Sequence, residues 1–83
     1  MTYFVYLIGN YKHKKLITYA GYTNNLKRRI ELHNKSKGAK FTKGKTWKLI
    51  YFEKFKTKNE AMKREYYIKK NRKLRNLIKK KYK

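Results

Sequence analysis

The chain opens on a run of aromatic and β-branched residues, Thr2 to Ile8 (TYFVYLI), which predicts a first strand. Gly9 and Asn10 then begin a turn through the polar stretch Tyr11–Lys15, and Leu16 to Tyr22 (LITYAGY) reads as a second strand, so the two form a hairpin. Gly21, near the end of that strand, marks a bend, or a place where another backbone or a ligand approaches closely. Thr23 or Asn24 is placed to cap a following helix, whose apolar stripe is Leu26 and Ile30 and which ends near Asn34. Residues 35–46 (KSKGAKFTKGKT) form a basic loop. Trp47 to Phe55 (WKLIYFEKF) is the third strand. Thr57 and Glu60 then make a T-x-x-E capping box for a long second helix packed through Ala61, Met62 and Ile68. From Asn71 onward, Leu74, Leu77 and Ile78 outline a short amphipathic helix with a basic tail. The order is ββαβα plus a C-terminal helix, an α+β domain built on a three-stranded antiparallel sheet with flanking helices. One domain over 1–83 is expected, its core at about 3–70 and a basic helix and tail at 71–83.

Composition sharpens this picture mainly through charge. Twenty-six Lys and Arg against four acids leave a net charge of +22, which repels itself and calls for a polyanionic partner. Nucleic acid is the first choice, since neutralising phosphates releases condensed counterions. An anionic membrane is disfavoured, because no long segment pairs a basic face with a broad apolar one. Aromatic residues at 17% argue against a disordered basic tail. The absence of Cys removes disulfides and thiolate zinc sites. With no apolar run of membrane length and no secretory pattern, the expectation is a soluble, intracellular chain, cytoplasmic and nucleoid-associated.

The acids restrict the chemistry further. There is no Asp, and the four carboxylates are Glu31, Glu53, Glu60 and Glu65. A two-metal phosphodiesterase needs several carboxylates converging on ions about 4 Å apart. These four, spread along the chain, point instead to one metal on one carboxylate, or to none. Glu60 is taken by the cap, Glu31 faces outward, and Glu53 is free to pair with a strand or loop Lys. Glu65 remains, between Ala61 and Ile68 on the inner stripe of the second helix, where a lone carboxylate is costly unless it meets a cation. Its simplest partner is Lys69, one turn on. Arg29 and His33, themselves one turn apart beside Leu26 and Ile30, address one point at the edge of the core; alternatively they are a snorkelling Arg and a core His. Tyr6 and Tyr19 lie mid-strand on neighbouring strands.

These residues, in this order and spacing, resemble the GIY-YIG nuclease family. Phe4-Val5-Tyr6 stands in place of GIY and Tyr19-Ala20-Gly21 in place of YIG. Thr23–His33 (TNNLKRRIELH) resembles the family's helix, which places the catalytic Arg at Arg29 and a further active-site position at His33. Lys37–Thr42 (KGAKFT) is similar to a stretch of the small standalone members. Glu60–Lys69 (EAMKREYYIK) resembles the segment that carries the metal-binding Glu, here Glu65. Asn71 is the nearest candidate for an asparagine that some members place after that helix.

The resemblance implies a metal-dependent endonuclease acting on DNA, single-stranded, flap or duplex, with RNA also possible. Glu65 would hold Mg²⁺ or Mn²⁺, Arg29 would bind the scissile phosphate, and Tyr6 would be the general base, with Tyr19 or His33 as the other choices. Nearby cations would have to favour the Tyr6 phenolate, since a phenol of pKa about 10 is otherwise a poor base. Lys27, Arg28, Lys37, Lys40, Lys43, Lys45 and Lys69, with the basic tail, would grip the backbone. Phe41, Tyr22 or Trp47 would stack on an unpaired base. No obligate protein partner is evident. The rival reading is a basic DNA- or RNA-binding module that keeps the fold without the activity.

Overall fold

The computed structural model describes residues 1–12 and 14–82, so His13, in the predicted hairpin turn, and Lys83, in the basic tail, lie outside the described residues. Strand β1 (Tyr3–Lys12) is central, with β2 (Lys15–Thr23) and β3 (Lys48–Phe55) antiparallel on either side in the order β2-β1-β3. The remaining elements are α1 (Leu26–Asn34), a 3₁₀ turn (Lys40–Thr42), α2 (Lys58–Lys70) and α3 (Arg72–Tyr82). The fold is α+β, with the predicted element order. No helix among the described residues is long and apolar enough to cross a membrane.

The unbroken apolar run of β1 reflects burial on both faces. Val5 and Leu7 point to one side, where they meet Ala61 and Ile68 of α2 and Ile78 of α3. Tyr6 and Ile8 point to the other, with Trp47 and, from α1, Leu26 and Ile30. A residue with period-2 geometry cannot serve both layers, so alternate positions divide the work. The register sets Tyr6 opposite Gly21 and Ile8 opposite Tyr19, which puts both tyrosines on the α1 face. On the β3 side the register slips between Leu7 and Ile8, paired to Tyr51 and Leu49, a bulge at Ile50.

Several local expectations are corrected. The hairpin turn is tighter than predicted, since pairing continues past Gly9 and Asn10 to Lys12 opposite Lys15. The cap of α1 is Asn25, not Thr23 or Asn24; its side chain accepts the Arg28 N–H at 3.1 Å, while Thr23 Oγ1 accepts from the Asn25 N–H. Trp47 precedes β3 instead of opening it, because its backbone N–H and C=O are both taken by the Asn34 side chain. Met62 is 43% exposed and lies outside the core; the buried stripe of α2 is Ala61 and Ile68, seven residues apart, and Met62 falls one residue off it. Thr57 caps α2 as predicted, its Oγ1 accepting the Glu60 N–H, but the reciprocal half of the box differs: the Glu60 carboxylate accepts the Thr57 hydroxyl proton in place of its backbone N–H.

Candidate active site

Strand register and helix phase bring four of the five singled-out side chains to one place. Tyr6, Tyr19, Arg29 and Glu65 line a cavity of about 300 Å³ at the β2 edge of the sheet, together with Gly21, Tyr22 and Thr23. Glu65 reaches it from α2 and Arg29 from α1. Gly21 is required here by contact: a Cβ at that position would lie 2.3 Å from the Tyr6 hydroxyl. The close approach at Gly21 is therefore made by a side chain, the Tyr6 phenol across the β1–β2 ladder, and not by the backbone or ligand expected there.

His33 does not line the cavity. It is wholly buried behind Tyr6, at the inner end of α1. Its Nε2 lies 2.8 Å from the Tyr6 hydroxyl and its Nδ1 2.9 Å from Thr42 Oγ1. Thr42 in turn donates its hydroxyl proton to the Ala39 carbonyl at 2.8 Å. With that proton committed, Thr42 Oγ1 accepts from His33 Nδ1–H, so Nε2 carries the lone pair and accepts the proton of the Tyr6 phenol. The network therefore assigns a single tautomer and a single direction: Tyr6 to His33 to Thr42 to Ala39. Arg29 Nε donates to the other side of the Tyr6 oxygen at 3.4 Å.

Burial pushes the Tyr6 phenol above its ordinary range, against the hydrogen bond and charge of Arg29 and with small further rises from Tyr19 and Glu65. This corrects the expectation that surrounding cations favour the phenolate: desolvation outweighs Arg29. Burial, then the Arg29 charge, pushes His33 below its ordinary value, so both rings are neutral at neutral pH.

The loop that supplies Thr42 is folded, not merely basic. Trp47, 2% exposed, donates its indole N–H to the Thr42 carbonyl, and Gly44 N–H reaches Ser36 Oγ. Gly38 lies against the imidazole, where a Cβ would sit 2.3 Å from His33 Nδ1. Thr42, Gly38 and Trp47 were not assigned these roles from sequence; the one signal for Thr42 and Gly38 was their place in the KGAKFT stretch. Burial also removes Trp47 as a stacking platform, leaving Phe41, 51% exposed and stacked on Tyr19 at 6.0 Å and 20° between planes, with Tyr22 half-buried.

The remaining carboxylates are committed elsewhere. Glu53 does not pair with a Lys. It takes a two-pronged contact from Arg64 of α2 at 2.8 and 3.0 Å, plus the Tyr51 hydroxyl. Burial raises its pKa, but the Arg64 and Tyr51 hydrogen bonds and the Arg64 charge win, holding the carboxyl below its usual value. Glu31 is exposed. Asn71 is absent from the cavity lining; its side chain accepts the Leu74 N–H at the start of α3. Glu65 has Lys69 Nζ at 3.8 Å, so the simple pair and the cavity position coexist. Among the described residues no three His, Cys, Asp or Glu cluster. Of the expected backbone contacts, Lys27, Arg28, Lys37, Lys40, Lys43 and Lys69 are exposed, whereas Lys45 is held against the Phe41 ring and carbonyl.

Comparison with known proteins shows which chains this one is similar to. A model of the GIY-YIG catalytic domain matches residues 2–83. A UPF0213 protein of Clostridium perfringens is 52% identical over 68 residues, covering 81% of this chain and 70% of the relative. One from Bacillus subtilis is 57% identical over 53 residues, covering 63% and 54%; against it the chain spans about half the relative's length. The solution structure of a UPF0213 protein from Bacillus halodurans, 38% identical, superposes with a TM-score of 0.50 over 95% of this chain and 84% of the other.

Proposed function

The chain belongs to the GIY-YIG catalytic-domain family, and from that premise we propose that it is a divalent-metal-dependent endonuclease that hydrolyses phosphodiester bonds in DNA through a single carboxylate, Glu65. The family implies a nuclease-type fold and a nucleic-acid substrate. The observation that carries the finer reading is the convergence of Tyr6, Tyr19, Arg29 and Glu65 on one cavity, with His33 bonded behind Tyr6. A module that only binds nucleic acid has no need of an inward Glu near an Arg, nor of a buried histidine oriented from both sides.

The donor set fits a hard ion. The cavity offers one carboxylate and hydroxyl oxygens, with neither thiolate nor exposed imidazole. That suits Mg²⁺ or Mn²⁺, which keep several waters and take their remaining oxygens from substrate phosphate. Such an ion supplies Lewis-acid polarisation of the phosphate when bound.

The protein's own groups perform the rest. Arg29 spends its Nε on Tyr6 and turns its remaining guanidinium donors to a phosphate oxygen, where charge develops during attack. Tyr6 is neutral, so it does not act as a standing phenolate. Its oxygen accepts the proton of the attacking water while its own proton moves to His33 Nε2, along the hydrogen bond already formed. Thr42 keeps Nδ1 protonated and Nε2 open to receive it. Tyr19, in the same cavity, shapes the floor on which the phosphate sits.

The test is cleavage of labelled single-stranded, flap and duplex DNA with Mg²⁺, Mn²⁺ or EDTA, comparing wild type with Glu65→Ala. The expected result is metal-dependent cutting that disappears in the variant. Tight, salt-sensitive binding by both proteins with no cutting by either would replace the enzyme with a binding module.

A further inference from the structure

Beside the cavity lies a larger groove, about 660 Å³, between β2 and the end of α2 with α3. β2 is a terminal strand of the sheet, so one wall is an unpaired strand edge. The other wall is built by the pattern of α3. Leu74, Leu77, Ile78 and Lys81 fall at i, i+3, i+4 and i+7 and turn toward Ile50 and Tyr51 of β3. Arg72, Arg75, Asn76 and Lys79 fall at the same spacing on another face and turn into the groove. The apolar stripe thus fixes the rotation of the helix, and the rotation aims a polar row at β2.

With Lys69 from α2 and Lys15 from β2, this row gives the groove a cationic lining, and no acidic side chain among the described residues lines it. Like charges brought into one concavity focus a positive potential. Arg75 is held in place, because its Nη1 donates to the Ile68 and Lys69 carbonyls at the end of α2, so little side-chain freedom is lost when its other donors bind an anion. The groove is also continuous with the cavity. Tyr19 lines both, and Lys69 lines the groove while its Nζ lies 3.8 Å from Glu65.

We propose that this groove is a subsite for the phosphodiester backbone of the nucleic acid, holding the strand on one side of the phosphate that sits at Arg29 and Glu65. The assignment rests on the nuclease reading for its direction, since it is the cavity that defines where the strand is cut. A free acidic protein would satisfy the charge, but the shared Tyr19 and Lys69 place the groove on the path of a polymer already bound in the cavity. Binding there is sequence-independent and makes the footprint asymmetric: substrate length matters on the groove side of the cut and little on the other.

The test uses the full chain in EDTA with a fluorescein-labelled oligonucleotide, following anisotropy from low to physiological salt. The variant Lys15→Gln/Arg72→Gln removes one exposed cation from each wall; Lys54→Gln/Lys56→Gln removes the same charge on and just beyond β3, at the opposite edge of the sheet. The groove variant should bind about 10- to 100-fold more weakly near 0.1 M salt, with a log–log salt slope shallower by about 1.4–1.8, the release from two phosphate contacts. The β3 variant should change little. In cleavage with metal, trimming the substrate on one flank should slow wild type more than trimming the other, and that asymmetry should vanish in the groove variant. Equal losses in both variants, or displacement of the oligonucleotide by polyglutamate at equal charge, overturn the proposal. An absence of cutting by wild type with groove-dependent binding intact counts against the nuclease reading alone, because the binding arms do not use the metal.

Discussion

Thr42→Val isolates the residue that orients the proton path without touching the cavity. Valine has the shape of threonine, so no void opens; what disappears is one buried oxygen, fully enclosed, that bonds His33 Nδ1 at 2.9 Å and the Ala39 carbonyl at 2.8 Å. No water can substitute without displacing packed atoms. An unsatisfied buried donor costs about 1–3 kcal/mol, and the Nδ1–H is that donor. Two ways out exist. Either the fold carries the cost, or the imidazole moves its proton to Nε2, which then donates to Tyr6 and turns the phenol's proton outward. In the second case the phenol can no longer hand its proton inward while accepting one from water. The loss expected is about 10²–10³-fold in the single-turnover rate, within the span of general-base catalysis. The urea midpoint should fall with an unchanged m-value.

The assay joins three readouts. Single-turnover cleavage at saturating DNA reports the chemical step, oligonucleotide affinity in EDTA reports binding, and imidazole ¹⁵N shifts report the tautomer. The expectation is a lost rate, unchanged affinity and a gain of the Nε2–H form, with Thr42→Ser restoring the rate and the tautomer. A valine variant that gains the Nε2–H form yet cuts at the wild-type rate would refute the proton path from Tyr6 to His33, whereas one that is only less stable, with Nδ1 still protonated and the rate unchanged, would reduce Thr42 to packing.

Gly21→Ala sets a methyl 2.3 Å from the Tyr6 hydroxyl and 2.5 Å from its Cζ; the ring is locked in the core, so the phenol must shift, and cleavage should drop at least about 100-fold while circular dichroism keeps the native spectrum. Wild-type cutting by that variant would mean that the position of the Tyr6 oxygen is irrelevant. Acid sensitivity should show two separable windows. His33 is depressed below its ordinary 6.5, so the unfolded chain binds its proton more readily, and the stability present above pH 6.5 is lost as pH falls from there toward the folded value. Glu53 is depressed below 4.5, so its contribution goes only at lower pH. Urea midpoints across pH should therefore lose the upper window in His33→Phe and the lower one in Glu53→Gln; an unchanged upper window in the His33 variant would contradict a buried neutral imidazole. Activity should persist below pH 6.5, since His33 stays neutral there, and an acid limb at or above 6.5 would contradict the assigned proton acceptor.

Most of the fold was legible because it rests on local signals. The β1 run, the T-x-x-E box of α2 and the spacing in α3 each follow from a few neighbouring residues. Glu65 was reachable by elimination, and it does line the cavity. What escaped depends on side-chain geometry within a turn or on contacts between residues distant along the chain. The true cap, Asn25, differs from Thr23 only in which oxygen meets the Arg28 N–H. The Glu53–Arg64 pair joins β3 to α2 across eleven positions, a distance with no periodicity to betray it. The closure of the 35–46 loop over His33 hangs on Asn34, Thr42 and Trp47, whose hydrogen bonds join residues five and thirteen positions apart with no periodicity to mark them. A loop rich in Lys and Gly reads as solvated charge, although its Thr42 is wholly enclosed.

Charge links the cavity to the groove. A chain of +22 draws phosphates from every side and by the same field repels a divalent cation. Of its four carboxylates, Glu53 is clamped by Arg64, Glu60 serves the α2 cap and Glu31 faces solvent on α1, which leaves Glu65 alone in the cavity with Lys69 as its neighbour. In the reading proposed here, an ion at Glu65 must compete with that lysine and with the surrounding field until phosphate oxygens arrive to offset both. Metal and nucleic acid then favour one another's binding, and by linkage the coupling is the same in either direction. Lys69 is the side chain that must yield. It is 45% exposed, lies against the Tyr19 ring and stands where groove meets cavity, so a backbone phosphate entering the groove gives its ammonium a new partner. The excess of cations that makes the bare carboxylate a poor metal site is, on this argument, what confines the ion to the moment when a strand is in place.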